Sequence, residues 1–140
     1  MGFSGYVQKS RETRVKQALR EAREIIRRTL GGQPGGSLEE ALRDLYERVP
    51  REEWLRRALA RYLLGTVERQ GSSTWVVRGV PELGDRKPLY IVTFTGDRYE
   101  CSCYRGAYGW ARRRSICTHI GAVMLERRRR RIDDYAYGSQ

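Results

Sequence analysis

The chain has 140 residues, with 28 basic against 17 acidic side chains, a net charge of +11 and 39% hydrophobic residues. That length serves one ordinary domain or a domain with an appendage, and it excludes two large cores. No apolar run approaches the roughly eighteen residues of a membrane span, and no apolar h-region follows the N-terminus. The expectation is a soluble protein with no membrane contact, not secreted, and cytoplasmic (nucleoid-associated) or nuclear, where thiols stay reduced.

Only Lys9, Lys16 and Lys87 are lysine; the other 25 basic residues are arginine. Arginine offers a planar fork of donors that fits phosphate and stacks on flat rings, as a nucleic-acid binder would use, although a biased genome would leave the same excess. Residues 1–70 carry net +5 as mixed charge, whereas 98–131 carry 10 basic residues against Glu100 and Glu126, net +8.

Residues 1–9 show no period and read as a loose lead-in. From Ser10, the positions Val15, Ala18, Leu19, Ala22, Ile25, Ile26 and Leu30 follow one helix face, closed by Gly31-Gly32. After the loop Gln33-Pro-Gly-Gly, the Ser37-Leu-Glu-Glu40 pattern predicts a capping box opening a second helix with Leu38, Ala41, Leu42, Leu45 and Tyr46 inward. Pro50 opens a third, with Glu52 and Glu53 suited to its first turn and an apolar stripe of Trp54, Leu55, Ala58, Leu59, Tyr62 and Leu63. Arg51, Arg56, Arg57 and Arg61 would let this pair act as a DNA-reading helix-turn-helix; the interleaved acids favour plain packing. The apolar stripes also leave room for a homodimer or a protein partner.

Beyond Gly65 the period changes to that of strands. Thr74-Trp-Val-Val-Arg and Leu89-Tyr-Ile-Val-Thr-Phe are β-rich runs joined by a Pro- and Gly-containing turn, Thr95-Gly-Asp97 turns into a third strand ending at Cys101, and 66–70 can add an edge strand. A last helix starts near Thr118 with Ile120, Val123 and Met124 inward. It runs into Arg127–Arg131, and 132–140 reads as a frayed tail. Cations at a helix C-terminus suit its dipole, but five in a row exceed that need.

All three cysteines and the one histidine fall in two tight pairs, Cys101-x-Cys103 and Cys117-x-His119, thirteen residues apart. Three thiolates and an imidazole make a tetrahedral zinc set, so one structural Zn2+ is the expected cofactor. Buried free cysteines, a Cys101–Cys117 disulfide and a Cys–His nucleophile are the competing readings.

These residues resemble the SWIM zinc finger, whose signature is Cys-x-Cys, a spacer, and Cys-x-His. The likeness runs through Trp75-Val-Val, Tyr90-Ile-Val, Glu100-Cys-Ser-Cys and Cys117-Thr-His-Ile-Gly-Ala-Val, from about Ser73 to Arg128. It departs from the pattern in the spacer, which here is rich in Arg and aromatics rather than short with Gly or Pro. The resemblance implies a setting in recombination, repair or transposition, as a small accessory factor binding DNA or a protein such as a RecA-type recombinase paralogue.

The sequence thus predicts an α+β protein: a helical part at 1–70, and a zinc-stapled antiparallel meander plus helix at 71–131. No phosphate loop, paired acids or Ser–His arrangement is present, so no enzymatic activity is expected. DNA, single-stranded or duplex, is the expected partner, with Arg98, Tyr104, Arg105, Tyr108, Trp110, Arg112, Arg113, Arg114, Arg127 and Arg128 as candidate contacts. The alternative is a protein–protein adaptor using the helical part and the basic finger. Loss of zinc is expected to unfold the finger while the N-terminal helices survive.

Overall fold

Helix formation begins earlier than the apolar period implies. In the computed structural model, which describes residues 2–104 and 116–138, α1 spans Gly2–Leu30, so the expected loose lead-in is helical. Val15, Ala18, Ala22, Ile25 and Ile26 form its buried stripe, and Gly32, at φ 88°, takes the left-handed turn that ends it. Helix α2 spans Ser37–Arg48. Its cap is Gly36 rather than Ser37: the Glu39 carboxylate accepts from the Gly36 N–H at 2.7 Å, so the reciprocal box shifts by one residue and lacks its hydroxyl half.

Helix α3, Glu52–Leu63, starts with both acids in its first turn as expected. Along its stripe burial is deepest at the N-terminal end, and Tyr62 and Leu63 are half-buried against the core. Leu55, Ala58 and Leu59 are fully buried, and Trp54 nearly so.

Four antiparallel strands follow in a simple meander: β1 (Val67–Arg69), β2 (Thr74–Arg78), β3 (Leu89–Thr95) and β4 (Arg98–Cys101), in that spatial order. The pairings Val77↔Tyr90 and Val92↔Cys101 put Trp75, Val77, Tyr90, Val92 and Cys101 on the inner face. Leu89 and Ile91 point outward. Helix α4 spans Thr118–Gly138, so the segment after Ile132 is helical through Gly138 where a frayed tail was expected.

One cluster of buried side chains draws on every layer: Ala22 and Ile26 of α1, Leu42 of α2, Leu55 and Leu59 of α3, Trp75 and Val92 of the sheet, and Ile120, Val123 and Leu125 of α4. Gly121 makes the closest approach. A Cβ there would lie 2.8 Å from the Ala58 Cβ and 2.9 Å from the Trp54 ring, so α4 meets α3 at a distance only glycine permits. The helical part and the finger therefore share a core, and residue 70 is not a break in it. Among the described residues, no helix is long and apolar enough to cross a membrane.

Candidate metal centre

Strand β4 delivers Cys101 at its last position, and the chain then tightens into a single 3-10 turn, Ser102–Tyr104. That knuckle brings Cys103 back toward Cys101, with the Cys103 N–H directed at the Cys101 Sγ at 3.5 Å. The Ile91 N–H donates to the Ser102 Oγ at 2.9 Å, which pins the turn to β3. The other pair brackets the start of α4, Cys117 just before it and His119 in its first turn.

The four donor atoms of Cys101, Cys103, Cys117 and His119 lie within 4.8 Å of one another. Two thiolates about 2.3 Å from a tetrahedrally ligated ion lie about 3.8 Å apart, so one ion fits this space with small adjustments. Cys101 and His119 are buried and Cys103 and Cys117 half-buried, and no disulfide joins the three cysteines. The site can hold one metal ion.

His119 faces two ways. Its Nδ1 lies 3.8 Å from the Cys101 Sγ, inside the cluster. Its Nε2 lies 2.9 Å from the Oδ1 of Asp85, a carboxylate that can only accept. Asp85 in turn receives Arg61 in a two-pronged contact, Nη1 at 2.5 Å and Nη2 at 3.0 Å, and the Val80 N–H at 2.7 Å. The Nε of Arg61 reaches the Thr118 Oγ1 at 2.9 Å. Arg61 is only 2% exposed and the Asp85 side chain 5%.

Burial pushes Asp85 upward, but hydrogen bonds from His119, Arg61 and Val80 outweigh it and hold the carboxyl well below the usual range. Burial likewise opposes a charged His119, yet Asp85, then Cys103 and Cys117, raise it to about 10 in the metal-free cluster. The Cys103 and Cys117 sulfurs and burial drive the Cys101 thiol up, and hydrogen bonds from Cys101 and Cys103 hold Cys117 down as the thiolate.

Two more residues complete the frame. Trp54 Nε1 donates to the Ile116 carbonyl at 2.7 Å, immediately before Cys117, and Tyr90 stacks on the His119 ring at 4.0 Å between centroids. The Tyr90 hydroxyl also accepts the N–H groups of Arg86 and Lys87, which shapes the loop that presents Asp85. At the base of that loop a Cβ on Gly79 would lie 1.9 Å from the Lys87 carbonyl oxygen, so no other residue fits there.

None of Arg61, Asp85, Trp54 and Tyr90 stands out by spacing to the ligands. For Arg61 a signal was present: Trp54, Ala58 and Arg61 are i, i+4 and i+7, which places the arginine on the apolar stripe. Of the four arginines of the helix-turn-helix reading, Arg61 is buried, Arg57 donates to the Leu83 carbonyl at 2.6 Å and Arg56 pairs with Glu53, while Arg51 is exposed.

Of the candidate nucleic-acid contacts, Arg98 is exposed at the start of β4. Arg127 lies 4.2 Å over the Phe94 ring and donates to the Tyr99 hydroxyl at 3.0 Å. Arg128 pairs with Asp44 at 2.7 Å. Beside them Arg129 reaches Ser37 and Tyr62, and Arg130 pairs with Glu126 at 3.7 Å. Much of the arginine run thus ties α4 to α2, α3 and the sheet. Tyr104 ends the 3-10 turn; Arg105, Tyr108, Trp110, Arg112, Arg113 and Arg114 lie outside the described residues.

Comparison with protein-family models, curated proteins and solved structures finds no match to this chain.

Proposed function

We propose that the chain is a non-catalytic zinc module of the SWIM type whose basic finger binds nucleic acid, DNA above all, in an accessory role in recombination, repair or transposition. The observation that supports it is the convergence of three sulfurs and one imidazole nitrogen within 4.8 Å, at the junction of sheet and helix. Four protein donors around one zinc ion leave no position for water or substrate, so the ion's work is structural.

The nucleic-acid part of this reading rests on charge. The finger segment 98–131 carries net +8, and a zinc ion with three thiolates subtracts only one. Arg127 is engaged on the sheet, so phosphate contact falls to Arg98, the half-exposed Arg128 and the sequence-assigned Arg105, Arg112, Arg113 and Arg114, with Tyr104, Tyr108 and Trp110 as the stacking candidates.

The test is fluorescence anisotropy on labelled single-stranded and duplex DNA across a salt series. Replacing Arg112, Arg113 and Arg114 together with Ala should flatten the slope of log affinity against log salt by about two to three units. Zinc content should not change. If wild type binds neither DNA nor RNA at low salt, the basic surface serves an acidic protein partner, and the adaptor reading takes its place. In that case the exposed Leu89 and Ile91 on the outer sheet face, 53% and 52% accessible, offer apolar area beside the half-buried Tyr62 and Leu63 of α3.

A further inference from the structure

We infer that Asp85 and Arg61 are the positioning residues of the metal centre: Asp85 holds His119 as the Nε2–H tautomer with Nδ1 turned to the ion, and Arg61 keeps Asp85 aligned. This rests on the reading of the Cys3His cluster as a metal site, and it assigns to two distant residues a role that the ligand signature does not contain.

Geometry carries the argument. A neutral imidazole has one donor nitrogen and one acceptor nitrogen, and the partner of one decides the job of the other. Asp85 accepts at Nε2 from 2.9 Å, so a proton sits there, and Nδ1, on the side of the sulfurs, is the nitrogen left for an ion. Tyr90, stacked at 4.0 Å with the rings 23° from parallel, blocks rotation of the imidazole out of that plane. Metal-bound histidines commonly use such a carboxylate to fix ring orientation and raise ligand basicity.

Charge explains the arginine. Zinc with three thiolates is a net −1 centre, and a second buried anion next to it would be repelled unless compensated. Arg61 compensates it bidentately and is itself 2% exposed, which is no place for a guanidinium without this duty. With Arg61, His119 and the Val80 N–H all donating, the Asp85 carboxylate has four hydrogen bonds and no freedom to turn away. Arg61 also donates to Thr118, between the ligands Cys117 and His119, so helix α3 sets the height at which the second ligand pair meets the first.

The experiment uses the full chain loaded with Zn2+. Because it contains a single histidine, a long-range 1H–15N correlation spectrum of the 15N-labelled protein reports its ring without assignment. The expected pattern is a protonated Nε2 and a metal-bound Nδ1. In parallel, competition with a colorimetric chelator should show Asp85→Asn binding zinc about 10–100-fold more weakly than wild type. A metal-bound Nε2, or unchanged zinc affinity in Asp85→Asn, overturns the inference while leaving the metal reading intact. Failure of wild type to take up zinc overturns both. If Asp85→Asn does not fold, the wild-type spectrum decides alone.

Discussion

The two ligand pairs are held by opposite means. Cys101 and Cys103 sit on a strand end and a 3-10 knuckle, fastened by neighbours in the β3–β4 ladder and by the Ser102 hydroxyl. Cys117 and His119 are fastened from far along the chain, by Trp54 at Ile116, by Arg61 at Thr118 and by Asp85 at His119. The first pair is preorganised by local backbone and the second by tertiary structure, so the site can assemble only when the helical layer is in place.

Metal removal breaks the comparison most strongly. Structural zinc in small fingers contributes about 10–16 kcal/mol at neutral pH, comparable to the whole stability of a domain, about 5–15 kcal/mol. Because one core joins α1, α2, α3, α4 and the sheet, chelation should remove helical and sheet signals in one transition rather than sparing the N-terminal helices. Circular dichroism during chelation checks this. Helical signal persisting at full strength while the sheet melts would show that the two supports are separable.

The pH response separates loaded from empty protein. With no metal, Asp85 and the sulfurs raise His119 from 6.5 to about 10 against the pull of burial. The stability this contributes is complete below pH 6.5 and is lost as pH rises through about 10. With metal the ligands must be deprotonated, so stability falls as pH drops. In the metal-free chain Cys117, held down as the thiolate, works with the opposite sign to His119, so the two contributions offset one another across neutral pH. Thermal melts from pH 6 to 8 should therefore be nearly flat for any folded fraction of the chelated chain and slope upward for the zinc form.

Next in size is Arg61→Ala, which leaves Asp85 a buried anion without its counter-charge, held only by His119 and the Val80 N–H, and should cost about 3 kcal/mol. Denaturant unfolding of the zinc-loaded variant measures it. The matching change on the other side, Ser102→Ala, removes one hydrogen bond near the surface and should cost about 0.5–1.5 kcal/mol. Equal losses for the two would contradict the division into local and long-range support.

That division also explains what could be read from the sequence. The ligands were legible because i, i+2 pairs are local, and the helices and strands because their apolar periods are. Asp85 and Arg61 were not, since their contacts with the site span 34 and 57 residues, and nothing in a Gly-Asp-Arg-Lys turn marks its aspartate as an internal acceptor. The ends of α1 and α4 were missed for a different reason. Their outer turns carry only one short apolar repeat each, Phe3-Tyr6-Val7 and Ile132-Tyr135-Ala136, too brief to read as a stripe, and helix can continue from a nucleated core without a longer one.

The staple has a consequence for chain length as well. Thirteen residues separate Cys103 from Cys117, and both ends of that spacer are anchored, one by the knuckle and one by the Trp54 bond to Ile116. Ring-closure entropy grows only logarithmically with contour length, about 0.6 kcal/mol for each doubling. The closure entropy of the spacer is therefore a small term beside what an ion in the site contributes.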